Sequence, residues 1–502
     1  MFEITQTLGL GGFASGTRES SRFGISLPLL FALGVYSLII AHPRLVLADP
    51  DTYWHIAVGH WIIQHGTVPD HGIFSATMAS SGWVPQSWLA EILMALIYDD
   101  FGWSGLSVVT ALCEAAAIAI LLRVLLGVLA PVHAMFAVTV AFVMSFQHVL
   151  ARPFILTIPI LVVWGAALVQ ARSNNRAPSP WLALLIVLWA NLHGGYMFGI
   201  GIAALLALEA VLLAPDWHAR IRAASDWGMF GTLAVGAALI TPFGINGVLF
   251  PFNLTNMNAL AYIAEWQGVN FTKFQPIEIW LLTVLFVALS LGWRLPLTRL
   301  LMLLLLLTMA LRHVRNGELL GLVAPLLIAP ALADCLPKLS SVNTVDRLMS
   351  RLARPANPLG IIIAGAIFVA INAITLPGRE ILPLDAVFPT AAVTEVKAKH
   401  IEGPVFNAYQ FGGYLIFAGF DPFIDGRAEL YGDEFITRYV ETVLMKKDQL
   451  PQLLDDNGIT WTLFPPDAAI IILMDHLPGW RRLYADAVAV VHVRHGPTDF
   501  HQ

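Results

Sequence analysis

Long apolar stretches separated by short polar connections occupy the chain from about residue 25 to residue 376. A helix needs about 20 consecutive apolar residues to cross a bilayer. The first stretch is too long for the apolar core of a cleaved signal peptide, so we expect it to remain as the first span. The pattern predicts about eleven membrane-spanning helices, near residues 25–47, 104–129, 132–150, 153–171, 180–193, 196–214, 227–243, 277–293, 297–311, 317–336 and 358–376.

The segment 86–100, "QSWLAEILMALIYDD", interrupts this pattern. It is apolar, but it is short for a span and ends in two aspartates. We interpret it as an interfacial or re-entrant helix. If it crossed the membrane instead, every later connection would change sides.

The pattern changes again at about residue 377, where charged residues become more frequent and the long apolar stretches end. Four short pieces are typical of strands: "GPVFNA", "DPFIDGR", "ITWTLFPP" and "AVAVVHVRH". They alternate with three helical pieces, "DEFITRYVETVLM", "QLPQLLDDN" and "AAIIILMDHL". Strands that alternate with helices indicate a small α/β domain, which we assign to residues 377–502.

Composition agrees with a polytopic membrane protein. Of the 502 residues, 57% are hydrophobic and only 12% are charged, against roughly 25% charged in soluble domains. A net charge of −6 argues against nucleic acid as a partner. The two cysteines, Cys113 and Cys335, lie in apolar stretches and suggest neither a disulfide framework nor a metal site.

The distribution of basic residues predicts the orientation. Cytoplasmic loops carry an excess of Lys and Arg. If residues 1–24 form a cytoplasmic tail, all but five of the basic residues before position 377 fall inside; the exceptions are Arg44, Arg152, Lys273, Arg312 and Arg315. The membrane domain then spans residues 25–376, with long outer loops at 48–103 and 244–276. The C-terminal domain lies in the periplasm of a bacterial inner membrane.

Carboxylates open the first outer loop. Asp49 and Asp51 follow the first span directly, and Asp70 lies further along the loop. A carboxylate at a span end can take a proton from an acceptor, bind a divalent cation, or be a solvated loop residue. Apolar and aromatic residues after Asp51 recur at helical spacing, which predicts an amphipathic helix lying on the membrane interface. Such a helix would hold Asp51 at the membrane surface, and Asp49 is the rival candidate.

Aromatic and polar side chains alternate in the same loop. Trp54 and His55 come first; Trp83, Gln86, Trp88 and Glu91 follow. Aromatic planes beside hydrogen-bonding groups suit a sugar, which has apolar faces and a polar rim. The tryptophans would equally serve as anchors at the membrane interface.

Basic residues at outer span ends are candidates for binding a phosphate. Arg312, His313 and Arg315 follow one predicted span, and helical spacing would place the two arginines on a common face. Arg152 has a similar position, and snorkelling to lipid head groups is the alternative for all of them. His193 and Glu265 also fall on the outer side, where each is a candidate for substrate binding or an ordinary structural residue.

These stretches resemble, in order along most of the chain, a bacterial family of GT-C-type integral membrane glycosyltransferases. The matching pieces are "DTYWHIAVGHWIIQHGTVPDHGIFSAT…GWVPQSWLAEIL", "ARPFILT", "WANLHGGYMFG", "TPFG", "AEWQ", "RHVRN" and "NAYQFGGYLI…FIDGRAELY". GT-C enzymes include protein O-mannosyltransferases and the aminoarabinose transferases of lipid A. The resemblance implies a GT-C-like helical membrane domain followed by a small periplasmic α/β domain.

The resemblance also implies a reaction. A sugar passes with inversion from a polyprenyl-phosphate donor to an acceptor, and an acidic residue early in the first outer loop assists it. Asp51 matches that residue best by position, with Asp49 the rival and Asp70 a second acidic partner. Some relatives need a divalent cation, Mg or Mn, and the sequence leaves that requirement open, as it does the acceptor.

Two other classes of function stay open from the sequence. A transporter or lipid flippase would show internal repeats or broken helices near the membrane midplane, and no repeat is evident. A non-catalytic membrane scaffold could use the C-terminal domain to bind a partner. In that domain "FIDGRAELY" either shapes the acceptor site or is a structural turn held by an Asp/Arg pair.

Overall fold

The computed structural model describes residues 24–292, 295–335, 349–376, 382–383, 386–446 and 449–494. The predicted tail at residues 1–24 therefore lies almost wholly outside the described residues. The first half of the chain forms nine helices that we label α1 to α9: Leu27–Ala41, Asp51–His65, Trp88–Leu125, Pro131–Ser145, Ile158–Ser173, Leu184–Leu192, Tyr196–Leu212, Trp217–Ala238 and Ile245–Thr255. Helices α10 to α13 complete the bundle: Pro276–Leu291, Leu297–Arg312, Gly317–Cys335 and Pro358–Thr375.

Every predicted span corresponds to a helix, but only some of the helices have the length of a span. Among the described residues, four segments are long and apolar enough to cross a membrane: Trp88–Leu125, Pro153–Ser173, Val314–Asp334 and Pro358–Thr375. Four shorter helices are also apolar: Leu27–Ala41, Pro180–Leu192, Tyr196–Leu212 and Pro276–Ser290. The chain is thus a multi-pass helical membrane protein, and the count of about eleven spans stays a prediction.

The helices begin where the sequence supplies caps. The side chain of Ser26 accepts from the backbone of Leu29, and Asn357 accepts from Gly360 at 2.8 Å. Gln275 and Glu278 form a reciprocal capping box at the start of α10. Each of these three helices also carries proline at its first turn, where a missing N–H group costs nothing.

Helix α3 contains a sharp break. Gly102 has φ 58° and ψ −156°, which removes it from helical geometry. The segment 88–101 is therefore a separate helical piece that leads into the long apolar part of α3. This agrees with the expectation of a short helix before the second span.

The helix ends group as the predicted topology requires. The connections after α1, α4, α6 and α11 meet at one end of the bundle around a single cavity, and we call this the cavity end. Arg172, Glu209 and Arg299 form a buried ion-pair cluster that joins α5, α7 and α11 away from the cavity. The outer and inner ends assigned from the sequence thus separate in space.

The C-terminal part contains a four-stranded sheet. Its strands are β1 Val405–Asn407, β2 Trp461–Phe464, β3 Trp480–Ala485 and β4 Val490–Arg494, in the order β1-β2-β4-β3. β1 is parallel to β2, and the other neighbours are antiparallel. Five helices accompany the sheet, α14 to α18: Thr390–Ala398, Gly412–Phe417, Ala428–Val443, Leu450–Asp456 and Ala469–Met474.

Two strand predictions in this part are wrong. Residues 421–427, "DPFIDGR", form a loop, because side chains rather than a neighbouring strand satisfy its backbone. Asn407 bonds Phe423 N and the Ile424 carbonyl, both at 2.8 Å. Strand β3 had no alternating pattern to signal it, since only its first residue, Trp480, is buried.

Helix α2 belongs to the core of the C-terminal part rather than to the membrane interface. Trp54, Val58 and Ile62 are buried in the same apolar cluster as Phe411 and Leu415. The expected interfacial helix is therefore corrected: its aromatic residues are covered by protein. The chain so far from it in sequence packs against it and brings new residues to the first outer loop.

Candidate active site

A cavity of about 960 Å³ lies at the cavity end of the bundle, beneath the C-terminal part of the chain. Residues from both predicted outer loops line it. The predicted site residues among the lining are Asp49, Asp51, Trp54, His55, Trp83, Gln86, Glu91, Arg152, His193, Glu265, His313 and Arg315. The structure thus gathers most of the sequence candidates around one space.

Asp49 and Asp51 flank the first residue of the turn into α2. Asp49 Oδ1 accepts the backbone N–H of Asp51 at 2.8 Å, which satisfies one of the free N–H groups at the helix start. Asp51 Oδ1 accepts the indole N–H of Trp54 at 3.1 Å. The Asp49 side chain is 7% exposed and that of Asp51 is 16% exposed. Burial, opposed by Arg152 and reinforced by Asp51, raises the pKa of Asp49 to about 7.

Arg152 joins the carboxylates of both outer loops. It lies in extended conformation directly before Pro153, which favours that conformation in the residue it follows. Its guanidinium contacts Asp49 Oδ2 at 3.2 Å, Glu265 Oε2 at 2.8 Å, and Asp51 Oδ2. Burial alone would lower the pKa of Arg152, but the three carboxylates outweigh it and raise it well above the ordinary value.

Glu265 connects Arg152 to a second arginine. Glu265 Oε1 lies 3.1 Å from Arg315 Nη1. Burial would raise the pKa of Glu265, but the guanidinium groups of Arg152 and Arg315 lower it to about 2. The guanidinium of Arg315 also lies over the ring of Trp266, 4.4 Å from its centroid, and its side chain is 30% exposed. With a single carboxylate partner, Arg315 keeps N–H donors for a ligand in the cavity.

The two histidines at the cavity have assignable tautomers. His313 Nδ1 donates to the carbonyl of Trp266 at 2.6 Å, so its proton is on Nδ1. His193 Nδ1 accepts from the backbone N–H of Gly195 at 3.1 Å. Burial, together with Arg315 and Arg152, lowers the pKa of His193 to about 3, so the neutral ring carries its proton on Nε2.

A second polar group lies on the α2–α3 side of the cavity. His55 Nδ1 and Glu91 Oε1 are 3.0 Å apart, and both residues are buried. Gln86 donates to the carbonyl of Ala190 at 3.1 Å. The Trp54 and Trp83 rings are 6.3 Å apart at their centroids in an edge arrangement. This side has the aromatic planes and polar groups expected of a sugar site.

Three predicted site residues lie outside the cavity. The Asp70 side chain is 95% exposed and pairs with His71. Trp88 donates its indole N–H to Asn191 Oδ1 at 2.9 Å. Arg312 is the last residue of α11; because His313 is extended, Arg312 and Arg315 do not share a helical face as predicted. Arg315 reaches the cavity alone.

The C-terminal part supplies lining residues that sequence reasoning did not place in the site. They are Tyr409, Gln410, Gly413, Gly426, Ala428, Glu429, Ile436, Tyr439 and Val440. Trp83 donates its indole N–H to Glu429 Oε1 at 3.0 Å. The Gly-Gly pair at 412–413 and the Asp-Gly pair at 425–426 were the only signal, since each marks a point where backbones approach closely.

The carboxylates around Arg152 do not fit a divalent cation. Asp49, Asp51 and Glu265 are already paired with its guanidinium, which occupies the centre of the group. In the part of the chain that the structure describes, no group of three or more His, Cys, Asp or Glu side chains is arranged to hold a metal ion.

Comparison with known proteins shows similarity in structure rather than in sequence. No protein-family model matches the chain, and no curated protein matches it in sequence. ArnT from Cupriavidus metallidurans bound to undecaprenyl phosphate superposes with a TM-score of 0.51 at 12% identity, covering 94% of this chain and 98% of that one. The same protein in the apo state gives 0.50 at 14% identity, covering 93% and 97%.

The chain has the GT-C fold. Both superpositions extend over nearly the whole of each chain, so the agreement includes the helical bundle and the C-terminal part. The apo oligosaccharyltransferase from Archaeoglobus fulgidus gives a TM-score of 0.47 at 12% identity, over 87% of this chain and 69% of that one. The GT-C fold expected from the sequence motifs is thus confirmed.

Proposed function

We propose that this protein is a membrane glycosyltransferase that transfers a sugar from a polyprenyl-phosphate donor to an acceptor. One observation carries the proposal. Within a GT-C fold, the acidic start of the first outer loop and a partly free arginine, Arg315, line the same cavity. One group suits an attacking nucleophile and the other suits a leaving phosphate.

The donor class is supported by the chemistry of the cavity and by one structural neighbour. Arg315 retains guanidinium donors, and arginine binds phosphate oxygens in a bidentate manner. His193 offers Nε2–H as a neutral donor beside it. ArnT from Cupriavidus metallidurans was solved with undecaprenyl phosphate bound. Apolar side chains such as Phe198 and Phe252 line the cavity and are partly exposed, which suits the entry of a lipid tail from the bilayer.

The proposed reaction is an in-line displacement with inversion. The acceptor's oxygen or nitrogen forms a bond to the anomeric carbon while the bond from that carbon to the phosphate oxygen breaks. The bonding electrons leave with polyprenyl phosphate, whose added charge Arg315 and His193–H stabilise. The acceptor proton passes to the carboxylate of Asp51.

Arg152 organises the acidic side of the site. It keeps Asp51 and Glu265 ionised beside each other, since without its positive charge the clustered carboxylates would repel. Asp49 is more buried and is bonded to the backbone of Asp51, so we assign it to placing that residue rather than to accepting the proton. We route no step through a divalent cation.

The proposed location follows from the distribution of basic residues. The cavity end carries the predicted outer loops, which places the reaction on the periplasmic face of a bacterial inner membrane. Reporter fusions at about residue 175 and at the C-terminus test this. A cytoplasmic C-terminus would contradict the proposed location.

Transfer in proteoliposomes tests the function itself. Purified protein is mixed with labelled undecaprenyl-phosphate sugars and a membrane fraction as the source of acceptors. Label that moves from the donor into an acceptor, and is absent with Asp51→Asn, supports the proposal. Movement of the labelled lipid across the bilayer without transfer would favour a flippase, and neither result would favour a scaffold.

A further inference from the structure

The C-terminal part touches the acidic motif of the first loop at glycines. A Cβ atom added to Gly426 would lie 2.0 Å from Asp51 Oδ1 and 3.1 Å from the indole nitrogen of Trp54. A Cβ atom on Gly413 would lie 2.3 Å from the carbonyl oxygen of Pro50. Ordinary contacts begin near 3.4 Å, so a side chain at either position would displace the acidic motif.

Gly426 is held rigidly by its neighbours. The Arg427 side chain, 0% exposed, donates Nε to Asp425 Oδ1 at 2.8 Å and Nη2 to Asp425 Oδ2 at 2.6 Å. Tyr431 also donates to Asp425, at 2.7 Å. The Tyr409 hydroxyl donates to the carbonyl of Gly426 at 3.1 Å. A buried bidentate pair on both sides of one glycine fixes where its backbone can lie.

The same loop is attached to the first outer loop on its other side. Arg427 Nη1 donates to the Ile73 carbonyl at 2.7 Å, and its guanidinium lies 4.8 Å from the centre of a Trp83 ring. Thr77 donates to the Phe423 carbonyl at 2.8 Å. The loop is therefore clamped between the start and the middle of the loop that carries Asp51.

We propose that Gly426, fixed by the Asp425–Arg427 pair, is a positioning residue that sets the place of the Asp51 carboxylate from the C-terminal part of the chain. The role of the C-terminal part is then to complete the site. This inference rests on the proposed function, because it assigns a purpose to the position of Asp51.

Gly426→Ala tests the inference, and Gly82→Ala is its control. Gly82 also lies in an outer loop, and no heavy atom lies within 4 Å of a Cβ added there. A displacement of about 1 Å at a reacting group costs on the order of a hundredfold in rate. We expect that loss in kcat for Gly426→Ala, with unchanged binding of undecaprenyl phosphate and unchanged transfer by Gly82→Ala. Transfer by Gly426→Ala equal to that of Gly82→Ala would overturn the inference.

A structure of the variant decides the matter without activity. In an electron cryomicroscopy map of Gly426→Ala, the Asp51 carboxylate should be displaced from Arg152; an unmoved carboxylate overturns the inference. If the wild type transfers no sugar, the proposed function fails while this comparison still stands. If Gly426→Ala does not fold, Tyr409→Phe, which frees the Gly426 carbonyl, should lower kcat more than phosphate binding. Wild-type kcat in that variant would overturn the inference.

Discussion

Replacing Asp51 and Asp49 one at a time by Asn separates the two rival assignments of the catalytic acid. Asp51→Asn retains an oxygen that can accept from Trp54, but it loses the ability to take a proton and the ion pair with Arg152. Asp49→Asn retains an oxygen that can accept the backbone N–H of Asp51. The two substitutions are therefore matched in size and in local hydrogen bonding.

The magnitudes follow from the environment of each carboxyl. A positioned general base contributes roughly 10²- to 10⁴-fold, so Asp51→Asn should lower kcat by that factor, or about 3–5 kcal/mol in activation free energy. Because the pKa of Asp49 is about 7, its carboxyl is often neutral near neutral pH, and Asn resembles that neutral form. Asp49→Asn should therefore cost less than about tenfold, which is about 1.4 kcal/mol.

The assay is the initial rate of label transfer in proteoliposomes at saturating donor, measured from pH 6 to pH 8. Asp49→Asn should approach the wild type below pH 7, where Asp49 is mostly protonated. Thermal unfolding in detergent controls for loss of fold. A larger loss of kcat in Asp49→Asn than in Asp51→Asn, with both variants folded, would refute the assignment.

Three further outcomes test other parts of the site. Arg315→Gln should weaken binding of undecaprenyl phosphate by at least about tenfold, since hydrogen bonds to charged groups contribute about 1.5–3 kcal/mol, whereas Arg312→Gln, outside the cavity, should leave binding unchanged; equal effects would contradict the phosphate assignment. The pKa of Glu265 is lowered to about 2, so its stabilisation is complete above the ordinary pKa near 4.5 and is lost as pH falls towards 2. Glu265→Gln should accordingly remove part of the fall in melting temperature over that range, and an unchanged acid profile would count against the ion pairs. Transfer should persist in EDTA, because Arg152 occupies the centre of the carboxylate group; loss of transfer that Mg²⁺ or Mn²⁺ restores would show that a cation takes part.

The helical part of the fold was largely predictable from the sequence. Apolar stretches of span length produce helices wherever the chain lies in lipid, and the basic residues sort their ends. The GT-C fold followed from motifs in order along the chain. The sheet was less predictable: β3 exposes most of its residues, and the "DPFIDGR" loop owes its conformation to Asn407.

The site was predictable in its residue types but not in its contacts. Asp49, Asp51, Arg152, Glu265 and Arg315 were all candidates, and the structure brings them together. Their pairing depends on contacts between residues up to 113 positions apart, which no local pattern encodes. Arg312 was misplaced because the helix ends one residue earlier than helical spacing assumed.

The clamp at Gly426 was missed for a different reason. A glycine needed for space at a negative φ looks like any other glycine in a sequence. Its importance is visible only when the approaching atom, Asp51 Oδ1, is located.

The sharing of Arg152 among three carboxylates restricts how this site can change over generations. Losing Arg152 would leave a buried group of like charges, and losing one acid would shift the proton affinity of the two that remain. Acceptable changes at these positions must therefore arrive in compensating pairs. Residues on the sugar side of the cavity, such as Gln86, carry no shared charge and are free to vary singly, so new substrates can be acquired there while the charged centre stays constant.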